Sequence, residues 1–429
     1  MTLSISALPS FLKRFPALFV ALWVAAGAAC AQPDPLFAQI DGIVAELSAI
    51  TGLAKLHKVD YDHIDKDQVA RFMEQSVEES AKPEEIRAEE LALKKFGFVP
   101  ADFDLKKTML ALLTEQAAAF YDYRKKKLFI LDSGSDPLQR LALVHELGHA
   151  LADQHFHLEK FVEGANRKDD SQLARMAVME GQATWLMFEH LARATGQSLK
   201  NSPELVALMS HASEFAGGQF PVFDHAPLYI RESLLFPYTQ GMLFQQALVQ
   251  KLGQAGFSEV FRNPPVSTQQ ILHPDKYFAG VAPVVPPLPR WELRRKWRNL
   301  SDGAVGEFDH AVLLRQYAGQ QESDRIAPRG QGAFYRLLEN KADGRLVLLY
   351  SSEWATPDAA RDFFALYQRV LKGKWKTFRT DSQTESSLAG QGDDGYFLLR
   401  LDGTRVTSVE GMRSPGEAPP SPSPANTLH

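Results

Sequence analysis

The segment Leu141–Leu158, LALVHELGHALADQHFHL, sets two histidines, His145 and His149, four residues apart among leucines, alanines and a valine. Leu141, Val144, Leu147, Ala150 and Leu151 recur at the helical period, so the segment reads as a helix with an apolar core face. On such a helix both imidazoles project from one side and can hold the same ion. Glu146 is turned about 100° from His145, which brings its carboxylate near the open side of that ion without binding it. Cys30 is the only cysteine, so a metal held by the rest of the chain needs His, Asp and Glu ligands.

HELGH is the HExxH pattern, and on it the chain resembles the zinc metallopeptidases. The resemblance implies one Zn2+ per chain, held by His145 and His149, with Glu146 as general base. The third ligand separates two families. In metzincins the pattern HExxHxxGxxH supplies a third histidine; His155 stands at that place, with Ala152 where the glycine belongs. If the helix runs on through Ala152 and Asp153, His155 points about 80° away from His145. His155 and His157 are then polar residues near the helix end.

Gluzincins, the thermolysin-like class, take a glutamate from a later helix. In LARMAVMEGQATWLMFEHL, the residues Leu173, Ala177, Glu180, Thr184, Met187 and Leu191 share one helical face, so Glu180 sits in an apolar stripe. A carboxylate there needs a metal or a buried Arg or Lys partner. Gly181 beside it lets another helix approach closely. The gluzincin resemblance assigns Glu180 as third ligand. Asp153 reads either as a group that orients a ligand or as a solvated helix-end residue.

Such enzymes draw a donor for the developing oxyanion from a later His or Tyr. The candidates are Tyr238, in LLFPYTQGMLF with Gly241 and a possible kink at Pro237, and His273, beside the proline turn in PPVSTQQILHPDKY. Gluzincins also line the cleft with an edge strand of a small N-terminal sheet that pairs with the substrate backbone, and AAAFYDY holds that place in chain order.

The remaining chain supplies the frame. Helices are expected over Pro35–Leu56, Lys66–Lys82, PEEIRAEELALKKFG and LKKTMLALLTEQ, with a short strand in KLHKVDYDHI. AAAFYDYRKKKLFILD reads as a β-hairpin with RKKK as its solvated turn, and Asp136 and Pro137 open the His145 helix. Further helices are expected over Ser171–Ala194, Pro203–Phe215, Pro227–Leu252 and Thr268–Leu272. Ala282–Trp291, rich in proline, reads as a linker. Beyond it, a strand pair in GAFYRLLENKADGRLVLLYSSEW, a helix capped at Thr356 and a hairpin in DGYFLLRLDGTRVTSVEG make a second α+β domain. The Pro- and Ser-rich end reads as a disordered tail.

The chain's 429 residues suit two domains, and a net charge of −5 with 23% charged residues gives no basic excess for nucleic acid. Lys13 and Arg14 precede a short apolar run ending in small residues, the form of a secretory signal. Cleavage after Ala31 removes two basic residues and no acidic one, leaving −7. GAAC alternatively offers a lipid anchor at Cys30.

The expected molecule is therefore α+β. It has a signal over 1–31, a mainly helical zincin-like domain over 32–285 with a small N-terminal β-sheet, a small α+β domain over 291–413 and a tail over 414–429. The expected function is exported peptide-bond hydrolysis, with a peptide or protein as substrate and no membrane span in the mature chain. The rivals are a zincin-like binding protein of the cell envelope that no longer turns over peptides, and a metzincin-like peptidase using His155.

Overall fold

The structure, a computed structural model, describes residues 36–65, 67–68, 71–72, 82–116, 119–131, 137–165, 170–210, 220–291 and 296–419. The signal segment, most of the helix expected over Lys66–Lys82 and the cap expected at Asp136 lie outside them. Helices and strands are both present, so the chain is α+β, and it forms two compact units. One takes in the described residues up to Glu90 and Val99–Ala282; the other takes in Leu91–Phe98 and the chain from Pro283 onward.

The first unit contains α1 (Ile40–Thr51), β1 (Asp60–Ile64) and the start of α2 (Pro83–Phe96), followed by α3 (Leu105–Gln116), β2 (Ala119–Asp122) and β3 (Lys127–Leu131). Next come α4 (Pro137–Phe156), α5 (Leu158–Glu163), α6 (Ser171–Ala194), α7 (Pro203–Ser210) and α8 (Pro221–His225). It ends with α9 (Leu228–Leu252), α10 (Gly256–Arg262), α11 (Thr268–Leu272) and α12 (Pro274–Phe278). The helix expected to reach Phe215 is described only to Ser210.

Helix α6 is the axis of this unit. It is buried from Ser171 to Glu189 with few breaks, as expected of a helix enclosed by others. Helices α4 and α9 pack along it. Helix α9 runs through Pro237, whose missing N–H leaves the carbonyl one turn earlier without its helical bond. A three-stranded sheet, order β1-β3-β2, lies against α4, with β1 parallel and β2 antiparallel to β3. Strand β2 is thus an edge strand. Its Phe120 stacks on Phe129 at 5.1 Å in register across the pair.

Helix α2 follows its signals: Pro83 opens it, Glu84 and Glu85 lie in the first turn, Lys94 and Lys95 in the last. Gly97 ends it at φ +85°, where Phe98 N–H reaches back to the Leu93 carbonyl. Its last residues belong to the second unit, where Phe96 meets Tyr335 and Tyr350 edge-on.

The second unit contains β4 (Trp297–Ala304), β5 (Gly330–Asn340), β6 (Leu346–Trp354), β7 (Phe378–Gln383), β8 (Ser387–Gly392), β9 (Gly395–Asp402) and β10 (Arg405–Met412). They form a seven-stranded antiparallel sheet, order β4-β5-β6-β10-β9-β8-β7. Helices α13 (Glu307–Ala318) and α14 (Gln320–Ile326) join β4 to β5, and α15 (Pro357–Lys374) joins β6 to β7. Helix α15 starts as its sequence indicates, with Thr356 Oγ1 accepting the Ala359 N–H at 3.2 Å and Pro357 in the first turn. Its Phe363, Phe364, Tyr367 and Val370 are buried.

Two segments are more ordered than their composition suggests. In the proline-rich stretch Val284 N–H bonds the Gln331 carbonyl, and Leu288 and Trp291 pack on the core around Trp297 and Leu349. In the segment expected to be a tail, Glu417 pairs with Arg345 at 2.8 Å and Ala418 joins the same core, while residues beyond 419 are outside the described set. No described helix is long and apolar enough to cross a membrane.

Candidate metal centre

Helix α4 continues unbroken past Ala152 to Phe156, so its period carries His145 and His149 to one side, facing α6. There Glu180 meets both rings: its Oε2 lies 3.1 Å from His145 Nε2 and 3.2 Å from His149 Nε2, and the two Nε2 atoms are 3.0 Å apart. A tetrahedral zinc with ligands at about 2.0–2.1 Å spaces their atoms roughly 3.3 Å apart, so this donor set fits such an ion in type and spacing. These three are the one group of at least three potential ligand side chains that converges among the described residues. All three side chains are almost completely buried.

Glu180 reaches this position because of the residue after it. A Cβ at Gly181 would fall 2.1 Å from the Gly241 carbonyl carbon, and one at Gly241 would fall 2.2 Å from the Ala177 carbonyl oxygen. Backbones of α6 and α9 therefore touch at a glycine pair, as the place of Gly181 in the sequence suggested. One turn before Gly241, Tyr238 lays its ring over His145, with centroids 6.0 Å apart and planes 30° from parallel.

Glu146 is the fourth member. Its Oε2 accepts the Tyr121 N–H from the edge strand β2 at 2.7 Å, while its Oε1 is buried with no hydrogen-bond partner among the described residues. Burial pushes the Glu146 carboxyl up to about 8, with the Glu180 charge adding to it and His149 and the Tyr121 N–H opposing. Burial also pushes His145 down to about 4 against the pull of Glu180. His149 moves the other way: burial lowers it, but Glu180, Glu146 and Asp153 more than offset that. Glu180 would be raised by burial, yet the two imidazoles hold it well below the usual carboxylate range. The arrangement is one carboxylate clasped by two rings beside a second carboxyl that burial holds above its ordinary pKa.

The other residues singled out in the sequence fall elsewhere. His155 Nε2 bonds the Ala54 carbonyl at 2.8 Å and is not one of the converging group. His273 is half-buried in the joint between α11 and α12, where its backbone carbonyl accepts the Lys276 N–H, and it is not in that group either. Asp153 is neither solvated nor a simple helix-end residue. Its buried carboxylate accepts from Tyr121 Oη at 3.0 Å, Lys126 Nζ at 2.6 Å and Leu158 N–H at 2.9 Å, stapling the hairpin to α4. RKKK, expected as a plain solvated turn, thus gives one lysine to a structural bond.

Sequence reasoning missed Tyr123. It follows β2, is buried, and its hydroxyl has no hydrogen-bond partner among the described residues. Tyr121 and Tyr123, spaced by two where the edge strand runs out into its turn, were the available signal.

The family model described as "Domain of unknown function (DUF8575)" matches residues 295–418, which lie in the second unit and contain none of the metal-centre residues. No curated protein matches the chain, and no solved structure does.

Proposed function

We propose that this chain is an exported zinc-dependent metallopeptidase of the gluzincin type, acting on peptide or protein substrates. The observation that carries the reading is the convergence of His145 Nε2, His149 Nε2 and Glu180 Oε2 beside a carboxylate with one oxygen that has no partner among the described residues. Bound by those three residues, zinc would supply the Lewis acid that polarises a scissile carbonyl and acidifies a water.

The protein's own groups do the rest. Tyr121 N–H fixes Glu146 through Oε2, so Oε1 is left to take a proton from the attacking water. The same oxygen then returns that proton to the leaving amine. Among the described strands β2 is the edge of its sheet and lies beside Glu146, the element along which a peptide backbone would extend. Export rests on the segment 1–31, by cleavage after Ala31 or lipid attachment at Cys30.

The experiment is metal removal. Chelator-stripped protein should lose hydrolysis of a denatured protein substrate and regain it with one equivalent of Zn2+. Hydrolysis that survives complete stripping would refute the reading.

A further inference from the structure

Two buried polar atoms in this centre lack partners among the described residues, and they are chemically complementary. One is an acceptor, Glu146 Oε1; the other is a donor, Tyr123 Oη. Burying a hydroxyl without a hydrogen bond is costly, and such groups in a native fold call for an explanation such as a missing ligand. They belong to one locality. Tyr123 follows the strand whose Tyr121 N–H grips Glu146, and the two tyrosine rings lie 6.3 Å apart. Burial first, then the charges of Glu180 and Glu146, keep the phenol neutral and therefore a donor. Tyr121 cannot serve in its place, because its hydroxyl is committed to Asp153 and its N–H to Glu146.

We propose that Tyr123 Oη donates a hydrogen bond to the substrate carbonyl oxygen as it gains negative charge, the role for which the sequence offered Tyr238 and His273. This rests on the peptidase reading above. Tyr238 then serves as the wall over His145, and the phenol that completes the site comes from the hairpin upstream of the metal-binding helix. No bond is made or broken at Tyr123: its proton stays on the phenol, and the bond strengthens as the carbonyl becomes tetrahedral.

The test is Tyr123→Phe with three readouts. Metal-stripped variant should melt at or above the native temperature, since the deleted hydroxyl has no partner among the described residues to lose. In the cobalt-loaded protein, acetohydroxamate, an oxygen ligand that occupies the same place, should bind about tenfold more weakly, read from the visible spectrum. With a peptide substrate kcat should fall roughly a hundredfold with KM within about twofold. Unchanged acetohydroxamate affinity and kcat in a variant that binds cobalt would overturn the role of Tyr123 and leave the metal centre standing. A lower melting temperature with native kcat would make Tyr123 structural and would overturn it too. A native chain that takes up no cobalt would overturn both readings.

Discussion

Gly181 on α6 and Gly241 on α9 are in backbone contact, and that contact brings Glu180, beside the first, and Tyr238, one turn before the second, to the His145 ring. A methyl on Gly181 would lie 2.1 Å from main-chain carbon, which no side-chain adjustment relieves. Gly181→Ala should therefore push the helices apart, cost about 1–3 kcal/mol or more in stability and weaken Zn2+ binding at least tenfold. Denaturant unfolding and competitive zinc titration check this; native zinc affinity in the variant would contradict it.

The third ligand separates two readings of the motif. Glu180→Gln should lower zinc affinity by several orders of magnitude, because a charged ligand atom is lost. His155→Ala should leave it within about twofold, since His155 holds a backbone carbonyl of the Ala54 turn instead. Metal analysis after dialysis against a weak chelator distinguishes them, and the reverse pattern would favour the histidine-ligand reading.

Asp153 joins the hairpin to α4 through Tyr121 and Lys126. Asp153→Ala removes the acceptor for both, and should destabilise the protein by about 2–3 kcal/mol. Because Tyr121 also positions Glu146, turnover should fall while zinc content is kept. A variant with native stability and turnover would show that the hairpin is held by other means.

In the second unit Lys95 pairs with Asp394 at 3.0 Å, and Lys374 pairs with the fully buried Glu410 at 2.5 Å. Burial pushes the Asp394 carboxyl up, but Lys95 and Lys374 more than offset it, so its pKa lies below the ordinary value. A lowered carboxylate pKa contributes stability that is complete above the unfolded value, about 3.9, and is lost as pH falls from there through the folded value. Chemical unfolding from pH 6 to pH 2 should show that loss in the native chain. Asp394→Asn should be less stable at pH 6 and show a shallower decline; an identical decline would mean that the pair is inert.

The helical spacing of His145, Glu146 and His149, and the lone acid in the stripe of α6, were legible because side-chain direction on a helix follows from position alone. The close approach at Gly181 was legible for the same reason. Tyr123 and the staple at Asp153 were not, since both depend on where a hairpin docks. In the second unit β5, β6, β9, β10 and α15 announced themselves by apolar runs and caps. Strand β7, FRTDSQ, and strand β8, SLAGQG, did not. The first is a polar, exposed edge and the second is interrupted by glycine, so neither shows the alternation of a half-buried strand. Leu91–Phe98 reads as part of an N-terminal helix yet packs with the sheet unit, because nothing local in a helix end tells which core its aromatic residue enters.

Peptide-bond hydrolysis with Glu146 as base can be read by digesting a broad peptide library with zinc-loaded native protein and with Glu146→Gln, and following the products by mass spectrometry. Cleavage by the native chain, with the variant holding zinc but slowed by a factor on the order of a thousand, is the predicted result. If both forms hold zinc and neither cuts any peptide, or if Glu146→Gln cuts as well as the native chain, Glu146 is not the base of a peptidase.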